Sequence, residues 1–127
     1  MIIGIGVDTV DVGRFRAQLD RTPKLVDRLF TPVERTVSLA SLAARFAAKE
    51  ALIKALGGSH DLGWQDLELV RDDARAPRFS RTPALDQELA RLSADRVHVS
   101  MTHDGEMATA FVIVERGFMP SDGELVS

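Results

Sequence analysis

Ser38-Leu-Ala-Ser-Leu-Ala-Ala-Arg45-Phe-Ala-Ala-Lys49-Glu50-Ala-Leu-Ile-Lys54-Ala-Leu56-Gly57-Gly58 is the stretch on which the fold turns. Leu39, Leu42, Ala43, Phe46, Ala47, Ile53 and Leu56 recur near helical spacing, and the glycine pair stops the run, so Ser38 to Leu56 reads as one helix. Four charges interrupt it: Arg45, Lys49, Glu50 and Lys54. As a surface feature, Glu50 four residues before Lys54 is only a helix-stabilising ion pair worth a few tenths of a kcal/mol. Apolar residues flank these charges on both sides, however, leaving little face for water. Burying them unpartnered is costly, so Lys49, Glu50 and Lys54 are expected at a cleft or an interface.

Upstream, Met1 to Asp8 reads as a short buried strand, Ile-Ile-Gly-Ile-Gly-Val, ending in a carboxylate. Two glycines within a strand suggest close approach of another backbone or a ligand. They do not make a dinucleotide fingerprint, because Thr9 stands where a third glycine is needed. Asp11 is a plausible cap for a helix over Arg14 to Leu19, Thr22-Pro23 breaks it, and Lys24 to Phe30 is a short helical piece. Thr31-Pro32-Val-Glu34 has capping-box spacing, with proline at the first helical position. Downstream, Leu67 to Val70 and Arg78 to Ser80 read as strands, and Pro83 to Ser93 as a helix with Leu85, Leu89 and Leu92 on one face. Val97 to His103 and Met107 to Val114 form an expected antiparallel hairpin turning at Asp104-Gly105. The order makes an α+β domain, an antiparallel sheet packed with helices. It should span residues 1–116, with a polar tail from 117 to 127.

Composition narrows the function classes. The chain has 127 residues, no cysteine and a net charge of −3, which suits a single globular domain and rules out disulfides and thiolate metal sites. No apolar run is long enough to span a bilayer. The start, Met-Ile-Ile-Gly, lacks a leader pattern, so a cytoplasmic protein beginning in its first strand is expected. Charge is uneven: residues 1–60 carry nine Lys and Arg against six acids, and residues 61–127 seven against thirteen. Arg14, Arg16, Arg21, Lys24, Arg28 and Arg35 crowd one segment. That density can steer an acidic partner or a phosphate-bearing ligand, although composition alone favours a solvated helix face. His103 ends a strand that already holds Ser100 and Thr102 and is followed by Asp104, where an imidazole can bind phosphate, act as a base or satisfy a turn. His98 lies at an odd offset from it and faces the other way, His60 looks like loop, and the two strand histidines match no zinc spacing.

Four segments together resemble the holo-[acyl-carrier-protein] synthases, the small bacterial 4′-phosphopantetheinyl transferases: Gly4-Ile-Gly-Val-Asp8 with Arg14; Phe30-Thr31-Pro32-x-Glu34; Arg45-Phe-Ala-Ala-Lys49-Glu50-Ala-x-x-Lys54-Ala55; and Val99-Ser100-x-Thr102-His103-Asp104 with the strand after it. The resemblance implies the 4′-phosphopantetheinyl transferase fold and transfer of 4′-phosphopantetheine from coenzyme A to a serine of apo acyl carrier protein, for fatty acid biosynthesis. It implies Asp8 and Glu50 as ligands of Mg2+, an ion that suits hard oxygen donors, and Lys54 beside the pyrophosphate. Catalysis then falls to Glu50, Lys54 and His103, and coenzyme A binding to Arg45, Lys49, Lys54 and His103. A metal-bound water, Glu50 or the His103–Asp104 pair can each serve as base. Arg14, Arg16, Arg21, Lys24 and Arg28 map to the surface that meets the acidic carrier helix, and a homotrimer with sites between subunits is implied; neither nucleic acid nor membrane is an expected partner. Ala76-Pro77, where a glycine commonly precedes the proline, and Gly57-Gly58-Ser59 depart from the family pattern. The competing readings are a non-catalytic coenzyme A or carrier-protein binding module and a magnesium-dependent pyrophosphate hydrolase.

Overall fold

The computed structural model describes residues 1–117. Strand β1 (Ile2–Asp11) leads into α1 (Val12–Arg21) and α2 (Leu25–Leu29); the long helix α3 (Leu39–Leu56) comes next. A short ribbon of β2 (Leu69–Arg71) and β3 (Pro77–Phe79), helix α4 (Pro83–Arg91) and the hairpin β4 (Arg96–Asp104) and β5 (Met107–Glu115) complete it. The main sheet has the order β1-β5-β4, antiparallel throughout. The expected tail lies, from residue 118 on, outside the described residues.

Helix α3 begins and ends as its sequence dictates. The Ser38 side chain accepts from the Ser41 N–H, and Gly57 closes the helix in the left-handed conformation with φ 83°. One face of α3 lies on the sheet, burying Ala48, Ala51, Leu52 and Ala55 against Ala110, Val112 and Val114. The small residues permit an unusually close approach. A Cβ on Gly4 would lie 1.9 Å from the Ala55 carbonyl oxygen, and one on Gly6 would lie 1.8 Å from that of Ala51. The two strand glycines are therefore where helix backbone touches sheet backbone.

A second core gathers Phe15 of α1, Leu29 and Phe30 against Leu42, Ala43 and Ala44 of α3. Phe15 stacks on Phe46 at 5.4 Å, and Phe46 meets Trp64 at 5.4 Å. Asp11 caps α1 as expected, accepting from the Arg14 N–H at 2.9 Å.

Two local expectations change. β1 does not end at Asp8 but runs to Asp11, because β5 supplies partners for three more residues and Thr9 and Thr109 share a hydroxyl hydrogen bond of 3.1 Å. The capping box at Thr31 is half formed. Glu34 reaches back to the Thr31 N–H at 3.0 Å, but the Thr31 hydroxyl donates to Glu68, and the next element is a 3-10 turn, Glu34–Thr36, instead of an α-helix. At the Ala76 departure the turn needs its positive φ one residue earlier, at Arg75 (66°), so alanine fits.

Candidate active site

Gly4 and Gly6 fix β1 across α3, and Asp8 is the next residue on that face of the strand. The Lys54 ammonium donates at 3.0 Å to Asp8 Oδ1 and at 3.0 Å to the Val7 carbonyl. Asp8 is largely covered, whereas the Lys54 side chain is 54% exposed. Burial pushes the Glu50 carboxyl above the usual carboxylate range; the charge of Asp8 adds to the rise and that of Lys54 opposes it. The site thus holds two mutually repelling carboxylates, 42 residues apart in the chain, beside one half-exposed cation.

That donor set fits a divalent cation that prefers oxygen. Among the described residues no group of three or more His, Asp or Glu converges on one point, so an all-protein cage is absent. Magnesium is ordinarily held by one or two carboxylates together with waters and substrate phosphates, and Asp8 with Glu50 matches that pattern.

Across the sheet, Asp8 pairs with Ala110, which pairs with Met101 on β4, a distance of about 10 Å over two strand spacings. There Ser41, Arg45, Arg71, Thr102 and His103 line a small basic pocket of 90 Å³. Arg45 is buried and anchored by a 2.8 Å hydrogen bond to the Leu69 carbonyl; Arg71 and His103 are exposed. Burial lowers the Arg45 guanidinium below its usual value, and Glu34 opposes the shift.

Lys49 corrects the sequence expectation. It does not face a phosphate pocket. Its ammonium is fully buried and donates to Glu34 Oε1 (2.7 Å), the Leu29 carbonyl (2.7 Å) and the Trp64 carbonyl (3.0 Å), leaving no donor over. Burial lowers its pKa, and the hydrogen bond to Glu34 resists. Its neighbour Arg45, one helical turn earlier, is the residue of the pair that lines the pocket.

On the opposite side of α3, a cleft of 510 Å³ opens between α1 and α2, with Leu25, Leu29, Phe46 and Trp64 as its floor and Arg21 and Arg28 on its rim. Arg14, Arg16, Arg21, Lys24 and Arg28 are all exposed, and among the described residues none of them forms a salt bridge. His98, on the outer sheet face, bonds Glu115 at 2.9 Å, which lowers the Glu115 carboxyl. His60 sits in the loop after α3, 2.9 Å from Arg91.

Three participants escaped sequence reasoning. Arg71 is a single cation on a three-residue strand, with no pattern to mark it. Trp64 opens a three-residue 3-10 turn, Trp64–Asp66, too short to leave a periodic signal. Glu34 looked like a helix cap, though its spacing to Thr31 did carry a signal.

Comparison with known proteins bears on the family and the fold. Residues 4–112 match the family model of the 4′-phosphopantetheinyl transferase superfamily. A holo-[acyl-carrier-protein] synthase of Clavibacter michiganensis is 56% identical over 115 residues, covering 91% of this chain and 97% of that protein. The crystal structure of the Neisseria meningitidis holo-[acyl-carrier-protein] synthase superposes with a TM-score of 0.84 at 31% identity, covering 91% of this chain and all of that one. The Helicobacter pylori enzyme, solved in complex with coenzyme A, gives 0.78 at 27% identity, covering 87% of this chain and 99% of that one. With its fold, its sequence and nearly its whole length matched, this chain belongs to the holo-[acyl-carrier-protein] synthase family of 4′-phosphopantetheinyl transferases.

Proposed function

We infer that the protein transfers 4′-phosphopantetheine from coenzyme A to a serine of an apo acyl carrier protein, in fatty acid biosynthesis, leaving adenosine 3′,5′-bisphosphate. The observation that carries this reading is the meeting of Asp8 and Lys54 beside Glu50. The serine hydroxyl gives its proton to a base of the site as its oxygen forms a bond to the phosphorus on the pantetheine side. The bond from that phosphorus to the bridging oxygen breaks, so that this oxygen leaves with the nucleotide phosphate. Asp8 and Glu50 hold Mg2+, which when bound supplies charge neutralisation for the pyrophosphate. Lys54, exposed and tethered only by Asp8 and a carbonyl, turns to the departing phosphate and offsets its growing negative charge. Arg45, Arg71 and His103 take a phosphate of the nucleotide end, the two arginines offering forked donors.

The five exposed cations of the segment from Arg14 to Arg28, two of which (Arg21 and Arg28) line the cleft, suit an acidic amphipathic helix of the carrier protein: charge guides the encounter and the cleft takes an apolar side chain. The outer face of the sheet supports assembly into a homotrimer. Ile5, Val7 and Phe111 are 55%, 51% and 42% exposed there, a contiguous apolar patch of the kind that marks an interface. A cytoplasmic location fits the absence of cysteine, and no helix among the described residues is long and apolar enough to cross a membrane.

The test is intact mass of an apo acyl carrier protein after incubation with the protein, coenzyme A and Mg2+, with a chelator control. A gain of one phosphopantetheine, abolished by the chelator, is expected. No gain with any carrier would refute transfer, and a gain that survives chelation would refute the metal.

A further inference from the structure

The buried pair Glu34–Lys49 has no part in the chemistry described above, yet both side chains are fully buried and every polar atom is used. Such pairs seldom add stability over apolar residues of the same size. What this one does is visible in its partners. Lys49 holds the carbonyls of Leu29 and Trp64, two residues that line the cleft between α1 and α2. Glu34 holds the Thr31 N–H through Oε1 and, through Oε2, the Leu69 N–H at 3.1 Å. The Leu69 carbonyl is held in turn by Arg45. Both polar groups of Leu69 are thereby fixed by side chains, and Arg71 of the basic pocket lies two residues further along the same strand. The β2–β3 ribbon has only three residues per strand, too few to hold its own orientation.

We propose that Glu34 and Lys49 are positioning residues that set the walls of both substrate pockets from one buried point: Glu34 sets the coenzyme A pocket through Leu69 and Arg71, and Lys49 sets the carrier cleft through Leu29 and Trp64. The assignment of the two pockets rests on the function inferred above. The pair touches neither substrate, and its effect is on the placement of groups that do.

The experiment uses Glu34→Gln and the double variant Glu34→Gln/Lys49→Met, which removes both charges together and strands neither. Michaelis constants for coenzyme A and carrier protein, kcat, and the calorimetric Kd for coenzyme A are measured well below each melting temperature. In Glu34→Gln an amide N–H2 replaces one accepting oxygen and faces another donor. The expected result is a KM and Kd for coenzyme A at least fivefold higher, with the carrier KM and kcat within twofold of the parent. The double variant should raise both KM values at least fivefold. Constants within twofold of the parent, or a loss confined to kcat, would overturn the proposal and leave the pair a stability element. A double variant that does not fold would overturn it equally. If the parent binds coenzyme A but transfers nothing, the inferred function fails, while the comparison of Kd values still decides the role of Glu34.

Discussion

Gly6→Ala tests the relation between close packing and the site most directly. The added Cβ would stand 1.8 Å from the Ala51 carbonyl oxygen and 2.7 Å from its carbonyl carbon. Ordinary contact begins at 3.4 Å, so the seam between β1 and α3 must open by about 1.6 Å. The obstruction is helix backbone, which cannot swing aside as a side chain would. Overpacking of this kind costs about 3 kcal/mol, equivalent to a fall in Tm of roughly 10 °C for a domain of this size. The consequence for the site is larger. Ala51 adjoins Glu50 and Gly6 is two residues from Asp8, so the same opening draws the two carboxylates apart. A misplacement of about 1 Å can reduce rate on the order of 100-fold. Gly13→Ala is the control: its Cβ meets only side-chain oxygens at 3.4 Å, and within helix α1 alanine should stabilise by about 0.5–1 kcal/mol. Denaturant melts and the carrier-mass assay read both effects. A Gly6→Ala protein as stable and as active as the parent would refute the argument that backbone contact sets the geometry of the carboxylates.

Glu50→Gln should abolish transfer and yet raise Tm in metal-free buffer near neutral pH. A carboxyl whose folded-state pKa is raised contributes stability that is full below its unfolded value and is lost as pH rises through the folded one. Glutamine removes that loss, so its advantage should vanish on acidification; parallel Tm-against-pH curves would contradict the shift. Reversing Arg21 and Arg28 to glutamate should raise the carrier KM more than tenfold and flatten its salt dependence, with coenzyme A binding unchanged by calorimetry. An equal loss for both substrates would remove these residues from the docking surface. Phe111→Asp, on the outer sheet face, should convert the proposed trimer to monomer in light scattering, and an unchanged oligomeric mass would exclude that face as the interface.

What sequence revealed and what it hid divide by the range of the interactions. The ends of α3 were legible because Ser38 and Gly57 act on neighbouring residues. The seam was legible in Gly4 and Gly6, since glycine inside a strand has few other uses, and the opposite facing of His98 and His103 comes from strand alternation alone. Lys49 misled because its charge sits one residue before Glu50, and only the fold brings Glu34 and the Trp64 carbonyl to it. Asp8 stood out as a carboxylate after an apolar run, though strand β1 runs past it: the partners that extend the strand lie on β5, about a hundred positions away. Arg71 had no local mark at all, because what distinguishes it is the anchoring of Leu69 by side chains of two other segments.

The order in which the sheet is assembled has a consequence for synthesis of the protein. Of the described elements β1 is made first and β5 last, yet β5 is the neighbour that β1 bonds to. At translation rates of about 5–20 residues per second, the first strand waits on the order of 5–20 s for its partner. Throughout that interval Ile2, Ile3, Ile5 and Val7 emerge with both backbone edges open, the condition under which strands associate with the wrong chain. A ribosome stalled before Met107 holds a chain whose Asp8 has no strand to fix it. Such a chain exposes an unpaired apolar strand, the kind of surface that makes folding intermediates prone to aggregate.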